Sequence, residues 1–167
     1  MGLPAGAVTV IVARGEEELF KALASAQNPR AMFITCADSR IVPELITQSS
    51  PGDLFVSRNV GNVVPPYGQM MGGVSTAIEY AVLGLKVERI IVCGHSHCGA
   101  IKAMYGEVSP EAPNLNRWLD LGREALLPVQ PGPEALRRTE QRAVVLQLER
   151  LMEYPMVRSR VQSGQIS

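Results

Sequence analysis

Two short apolar runs in this chain each stop on a chemically loaded loop, and that repetition limits the possible folds more than any other feature of the sequence. Ile90-Ile91-Val92-Cys93 is β-branched or small, as a buried strand requires, and Gly94 breaks it before His95-Ser96-His97-Cys98. Gly99 and Ala100 then open a segment that can turn helical. Ala31-Met32-Phe33-Ile34-Thr35 is a second apolar run, and it stops at Cys36-Ala37-Asp38-Ser39-Arg40, a polar loop of the same kind. Loops at the carboxyl ends of strands are where open α/β sheets hold their ligands.

The segments between these runs fit the same plan. After the turn signal Ser50-Pro51-Gly52-Asp53, Leu54-Phe55-Val56-Ser57-Arg58-Asn59 reads as a third strand with a polar end. Val74, Ala77, Ile78, Ala81, Val82 and Leu85 recur at three and four, so Gly73 to Leu85 is expected to be a helix leading into the strand at Ile90. Glu16 to Ala26 reads as an earlier helix ended by Asn28-Pro29, with Leu19, Phe20 and Leu23 on its apolar face. Pro110–Pro113 and Pro128–Pro133 are expected to bracket a helix around Trp118 to Leu126. Val144, Val145, Leu148, Leu151 and Met152 define a long last helix, which Tyr154-Pro155 is expected to close. Strands alternating with helices imply a three-layer α/β/α fold with a central, mainly parallel sheet. Residues 1–167 are expected to form one domain. The first fourteen or so residues read as loose, with Val8 to Ala13 a candidate strand covering a sheet edge.

Composition narrows the partners. With 46% hydrophobic and 19% charged residues, the chain can build a true core. Sixteen basic side chains balance sixteen acidic ones, which removes the electrostatic case for nucleic acid or an anionic membrane surface. No run approaches the length of a membrane span, and Val8 to Ala13 lacks the basic flank of a signal peptide. Three cysteines, an odd number, argue for reduced thiols in a cytoplasmic setting.

Taken singly, Cys36 or Cys98 reads as an inert buried thiol and His95 as a hydrogen-bonded loop histidine. Together they make a Cys2His set, the donor pattern of a catalytic zinc site with one position left for water or a fourth ligand. Asp38 and Arg40 are two apart, so in an extended loop both point the same way and can pair bidentately. The plainer reading is a surface salt bridge or a loop cap. Beside zinc, Asp38 is expected either to ligate the metal or to pair with Arg40 and accept a hydrogen bond from a water on it. His97 is a candidate proton carrier or a solvated loop residue. Cys93 reads as strand packing.

Cys36-x-Asp38-x-Arg40 with His95-x-x-Cys98 resembles the signature of the β-class carbonic anhydrases. The likeness extends through Pro51 to Asn59 and Gly72 to Gly99, and covers roughly residues 26 to 160. It implies one Zn2+ per chain on Cys36, His95 and Cys98, with Asp38 and Arg40 as the catalytic dyad. The implied reaction is reversible hydration of carbon dioxide to bicarbonate and a proton. It further implies Gln27, Phe55, Val60, Tyr80 and Gly99 as substrate-binding positions, Gln27 acting across a dimer interface. A homodimer, or a tetramer built of dimers, is expected. One subgroup carries a tryptophan three residues before the first cysteine as part of a regulatory bicarbonate site. Phe33 stands there in this sequence, so the plant-like subgroup is expected. Family members generally carry amino-terminal helices that wrap a partner and a further edge strand after the segment matching Val157 to Arg160. About fifteen residues precede the first helix here, so the expectation is a chain shortened at both ends. Two other readings fit the same ligands: a zinc hydrolase acting on carbon disulfide, and a shortened, inactive relative that keeps zinc for structure.

Overall fold

A computed structural model describes residues 17–69 and 72–167 of the chain. Three strands, β1 (Ala31–Cys36), β2 (Leu54–Asn59) and β3 (Arg89–Cys93), form one parallel sheet in the order β2-β1-β3. β1 lies in the middle with all six residues buried, which explains its mainly apolar character, and its one polar side chain, Thr35, donates its hydroxyl to Cys93 O at 3.0 Å. Its register sets Cys36 beside Asn59 and Thr35 beside Cys93, so the loops after all three strands leave the sheet at one end. The candidate strand Val8 to Ala13 lies outside the described residues. At the start of β3 the backbone bonds to Ser167, whose N–H donates to Glu88 O at 3.1 Å while its carbonyl accepts from Ile90 N at 3.2 Å.

The helices are α1 (Glu17–Leu23), α2 (Pro43–Thr47), α3 (Gly73–Glu79), α4 (Gly99–Met104), α5 (Pro113–Asp120), α6 (Pro133–Leu151) and α7 (Pro155–Gln162). α3 continues as a π-helical segment, Tyr80–Leu85, so the helix expected at residues 73–85 is present with its last turn and a half widened. One apolar cluster joins Met32 and Ile34 of β1 to Val74, Ile78 and Val82, and to Leu151, Tyr154 and Val157. The other gathers Cys36, Val63 and Cys98 with Ile101, Met104, Leu119, Ala143 and Leu146. The sheet is thus covered by helices in the expected α/β manner.

Prolines account for the main departures from the expected boundaries. Pro113, Pro133 and Pro155 each occupy the first turn of a helix, where the missing N–H and the fixed φ cost nothing. The helix expected around Trp118 to Leu126 therefore begins at Pro113 and gives way to a 3-10 turn, Arg123–Ala125. The expected long last helix is present as α6, which starts at Pro133 and ends at Leu151. Pro155 opens α7 rather than merely closing what precedes it.

Candidate metal centre

The loops after β1 and β3 meet at three side chains. Donor atoms of Cys36, His95 and Cys98 all lie within 4.8 Å of one another, and both cysteines are buried. His95 Nδ1 faces the Ser96 carbonyl at 3.0 Å, which selects the tautomer protonated at Nδ1 and leaves a lone pair on Nε2. That Nε2 is buried and has no hydrogen-bond partner. Two thiols and an orphaned imidazole nitrogen converging on one point fit the donor chemistry of zinc.

Backbone groups hold the thiols. Gly61, at φ 82° in the left-handed region, donates its N–H to Cys36 Sγ at 3.4 Å, and a Cβ there would stand 2.9 Å from the Ala100 Cβ. The Cys98 thiol is pushed up to about 11, chiefly by burial, and the N–H groups of Ile101 and Ala100 pull it down.

Asp38 stands at the rim of this cluster, with its Oδ2 3.8 Å from His95 Nε2. Arg40 donates Nε to Oδ1 at 2.8 Å and Nη2 to Oδ2 at 2.7 Å, and its backbone N–H adds a third bond to Oδ1 at 3.0 Å. Those bonds hold the Asp38 carboxyl well below the usual carboxylate range, against a partial desolvation that raises it. Arg40 also donates to His97 O at 3.2 Å, tying the two loops together.

Sequence reasoning did not assign Arg58, at the polar end of β2, to the site. It donates Nε to Cys36 O at 3.2 Å and Nη2 to Asp38 O at 2.7 Å, fixing the backbone of the first loop. The signal available was its place: a charged residue at the last-but-one position of a strand whose carboxyl end faces the site.

The expected pocket positions are gathered less tightly. Phe55 and Tyr80 pack with ring centroids 5.9 Å apart. Tyr80 is 51% exposed and Val60 41% exposed. The Val60 carbonyl accepts the Trp118 indole N–H at 2.7 Å. Gly99 faces open space. Gln27 is exposed on the connection between α1 and β1, and among the described residues no hydrogen bond ties it to the site. His97 is exposed in a left-handed backbone conformation, φ 57°. Cys93 is half-buried outside the donor cluster and donates weakly to the Gly94 carbonyl, in keeping with a packing role.

A family model described as carbonic anhydrase matches residues 31–167. A carbonic anhydrase of Synechococcus elongatus is 43% identical over 157 residues, covering 89% of this chain and 58% of the relative, so this chain spans little more than half of that protein's length. One from Pseudomonas aeruginosa is 43% identical over 156 residues, with 90% of this chain and 71% of the relative covered. Among solved structures, the β-carbonic anhydrase CcaA superposes with a TM-score of 0.85 at 41% identity, over 91% of this chain and 72% of that one. The parallel sheet, the two converging loops and these likenesses together place the chain in the β-class carbonic anhydrase family.

Proposed function

We propose that this chain hydrates carbon dioxide reversibly to bicarbonate and a proton, with zinc held by Cys36, His95 and Cys98. The observation that carries the reading is the buried, unpartnered His95 Nε2 among two thiols, with a carboxylate locked 3.8 Å away by an arginine. Zinc held there would act as a Lewis acid that lowers the pKa of water enough for it to lose a proton near neutral pH and supply hydroxide as the nucleophile.

The chain's own groups do the rest. Asp38 stays ionised throughout the working range and so can only accept hydrogen bonds. With two bonds from Arg40 in place, it would accept a hydrogen bond from the O–H of the attacking group and thereby fix which way that oxygen's lone pair points. Arg40 keeps the carboxylate on itself and off the donor cluster. Carbon dioxide is uncharged and linear, and Phe55, Val60 and Tyr80 offer apolar surface for it. Gln27 from a second copy is the proposed amide partner of the product.

Tyr80, Val60 and Leu83 are large apolar side chains left exposed, which supports a homodimer in which they are covered. All three cysteines are free, which supports a reducing, cytoplasmic location. No helix of the described residues is long and apolar enough to cross a membrane.

The test is stopped-flow hydration by the zinc-loaded protein, with carbon disulfide hydrolysis measured in parallel. Hydration supports the reading. Carbon disulfide turnover without hydration assigns the site to the other substrate, and zinc without either activity assigns it to structure.

A further inference from the structure

α6 lies against the back of the loop that carries two of the three donor residues. A Cβ on Gly94 would stand 2.6 Å from Val144 Cγ2 and 3.9 Å from the Glu140 backbone oxygen. On that same helical turn Glu140 Oε1 accepts the backbone N–H of Cys98 at 3.1 Å. Cys98 has extended dihedrals, φ −67° and ψ 119°, and immediately precedes α4, so no helical bond reaches its N–H. Among the described residues Glu140 is the acceptor for that group.

The loop needs such an anchor. Ser96 and His97 are exposed, and His97 sits at φ 57°, so packing does not hold the stretch between the two donor residues. Two side chains hold it from outside: Arg40 on the His97 carbonyl and Glu140 on the Cys98 N–H. Charge attraction does not explain the placement, because a carboxylate beside a thiolate adds to the negative charge. The bond is directional, and it fixes the Cys98 backbone from which Sγ projects.

We propose that Glu140 is a positioning residue of the metal centre, setting the direction of Cys98 Sγ and with it how long zinc is held. The inference rests on the reading of Cys36, His95 and Cys98 as zinc ligands. A cavity of about 730 Å³, lined in part by His97, Cys98, Lys102, Arg137 and Glu140, opens on this side of the loop. Water can therefore reach the Cys98 N–H when the carboxylate is removed, so variants are expected to fold while the loop loosens.

The test follows zinc release from the loaded protein to excess chromophoric chelator for Glu140→Gln, Glu140→Asp and Glu140→Ala. Glutamine keeps an oxygen at the same reach without charge, whereas aspartate keeps the charge one methylene short. Release is expected within about twofold of wild type for Glu140→Gln and roughly tenfold or more faster for the other two, on the scale by which metal affinity falls when partners of metal ligands are removed. Gln141→Ala, on the exposed side of the same turn, is expected to release zinc at the wild-type rate. Wild-type rates in Glu140→Asp and Glu140→Ala would overturn the proposal, as would Glu140→Gln releasing as fast as Glu140→Ala. A wild-type protein that retains no zinc would overturn the ligand reading as well, and that failure is seen without any substitution.

Discussion

Arg40 grips Asp38 through two near-parallel bonds, Nε to Oδ1 at 2.8 Å and Nη2 to Oδ2 at 2.7 Å, while the same Oδ2 lies 3.8 Å from His95 Nε2. The carboxylate is therefore shared in space between a guanidinium and the candidate metal centre, and the guanidinium holds it. That arrangement needs a planar fork, which lysine does not have.

Arg40→Ala frees Asp38 to swing onto the donor cluster or into solvent. On the proposed chemistry, kcat/KM for hydration is expected to fall by about 10²-fold or more, as on loss of a preorganised polar group. Because Arg40 also anchors the His97 carbonyl, the loss is read per bound zinc rather than per chain. Arg40→Lys is expected to recover only part of the loss. Stopped-flow rates normalised to bound zinc check this, and a lysine variant as fast as wild type would show that bidentate geometry is unimportant.

Gly94 leaves no room for a side chain. With Val144 Cγ2 only 2.6 Å from where a Cβ would stand, Gly94→Ala is expected to cost about 1–3 kcal/mol through overpacking. Val144 is short and β-branched and has no long chain to swing aside. The double variant Gly94→Ala/Val144→Ala is expected to recover most of that cost, so denaturant unfolding of the four proteins in the cycle should show strong coupling. Additive losses would mean that the strain lies elsewhere.

Alkaline stability depends on Tyr154. Its phenol is fully buried, donates to Pro65 O at 2.9 Å and lies 3.0 Å from Ser75 Oγ. Burial raises its pKa above the ordinary value of about 10. The folded state therefore keeps the proton where the unfolded chain loses it. The tyrosine's contribution is complete below about pH 10 and declines as pH rises from there through the folded-state value. Tyr154→Phe is expected to be less stable at neutral pH, with the gap to wild type narrowing above about pH 10. Urea unfolding across that range checks the sign, and a gap that widens would contradict it.

The strands were legible because β-branched runs end in glycine or polar residues, and β1, β2 and β3 fall where Phe33, Val56 and Ile91 indicated. The donor set was legible because one strand-ending loop resembles another. Prolines misled, since Pro113, Pro133 and Pro155 start helices and a reading that treats proline as a stop loses the residues after it. The long last helix is marked in the sequence by its apolar residues from Val144 onward, which leaves Glu140, whose bond to Cys98 spans 42 positions, without a signal of its own. A trace was present: Thr139, Ala143, Leu146, Gln147 and Arg150 form a buried face at helical spacing with three polar members, a sign that this face meets backbone as well as core. Gln147 indeed accepts from Val64 N at 2.7 Å, and Arg150 donates to Val64 O at 3.3 Å. Periodicity shows which face is buried, but not which distant N–H a polar side chain on that face will find.

In the proposed reaction, Cys36, His95 and Cys98 hold one zinc that drives carbon dioxide hydration. Metal-stripped protein titrated with zinc while hydration is followed by stopped flow tests it most directly. Activity is expected to rise linearly and stop at one equivalent per chain, and to stay at background in Cys36→Ser. Hydration that is independent of zinc, or a Cys36→Ser variant as active as wild type, would contradict the account.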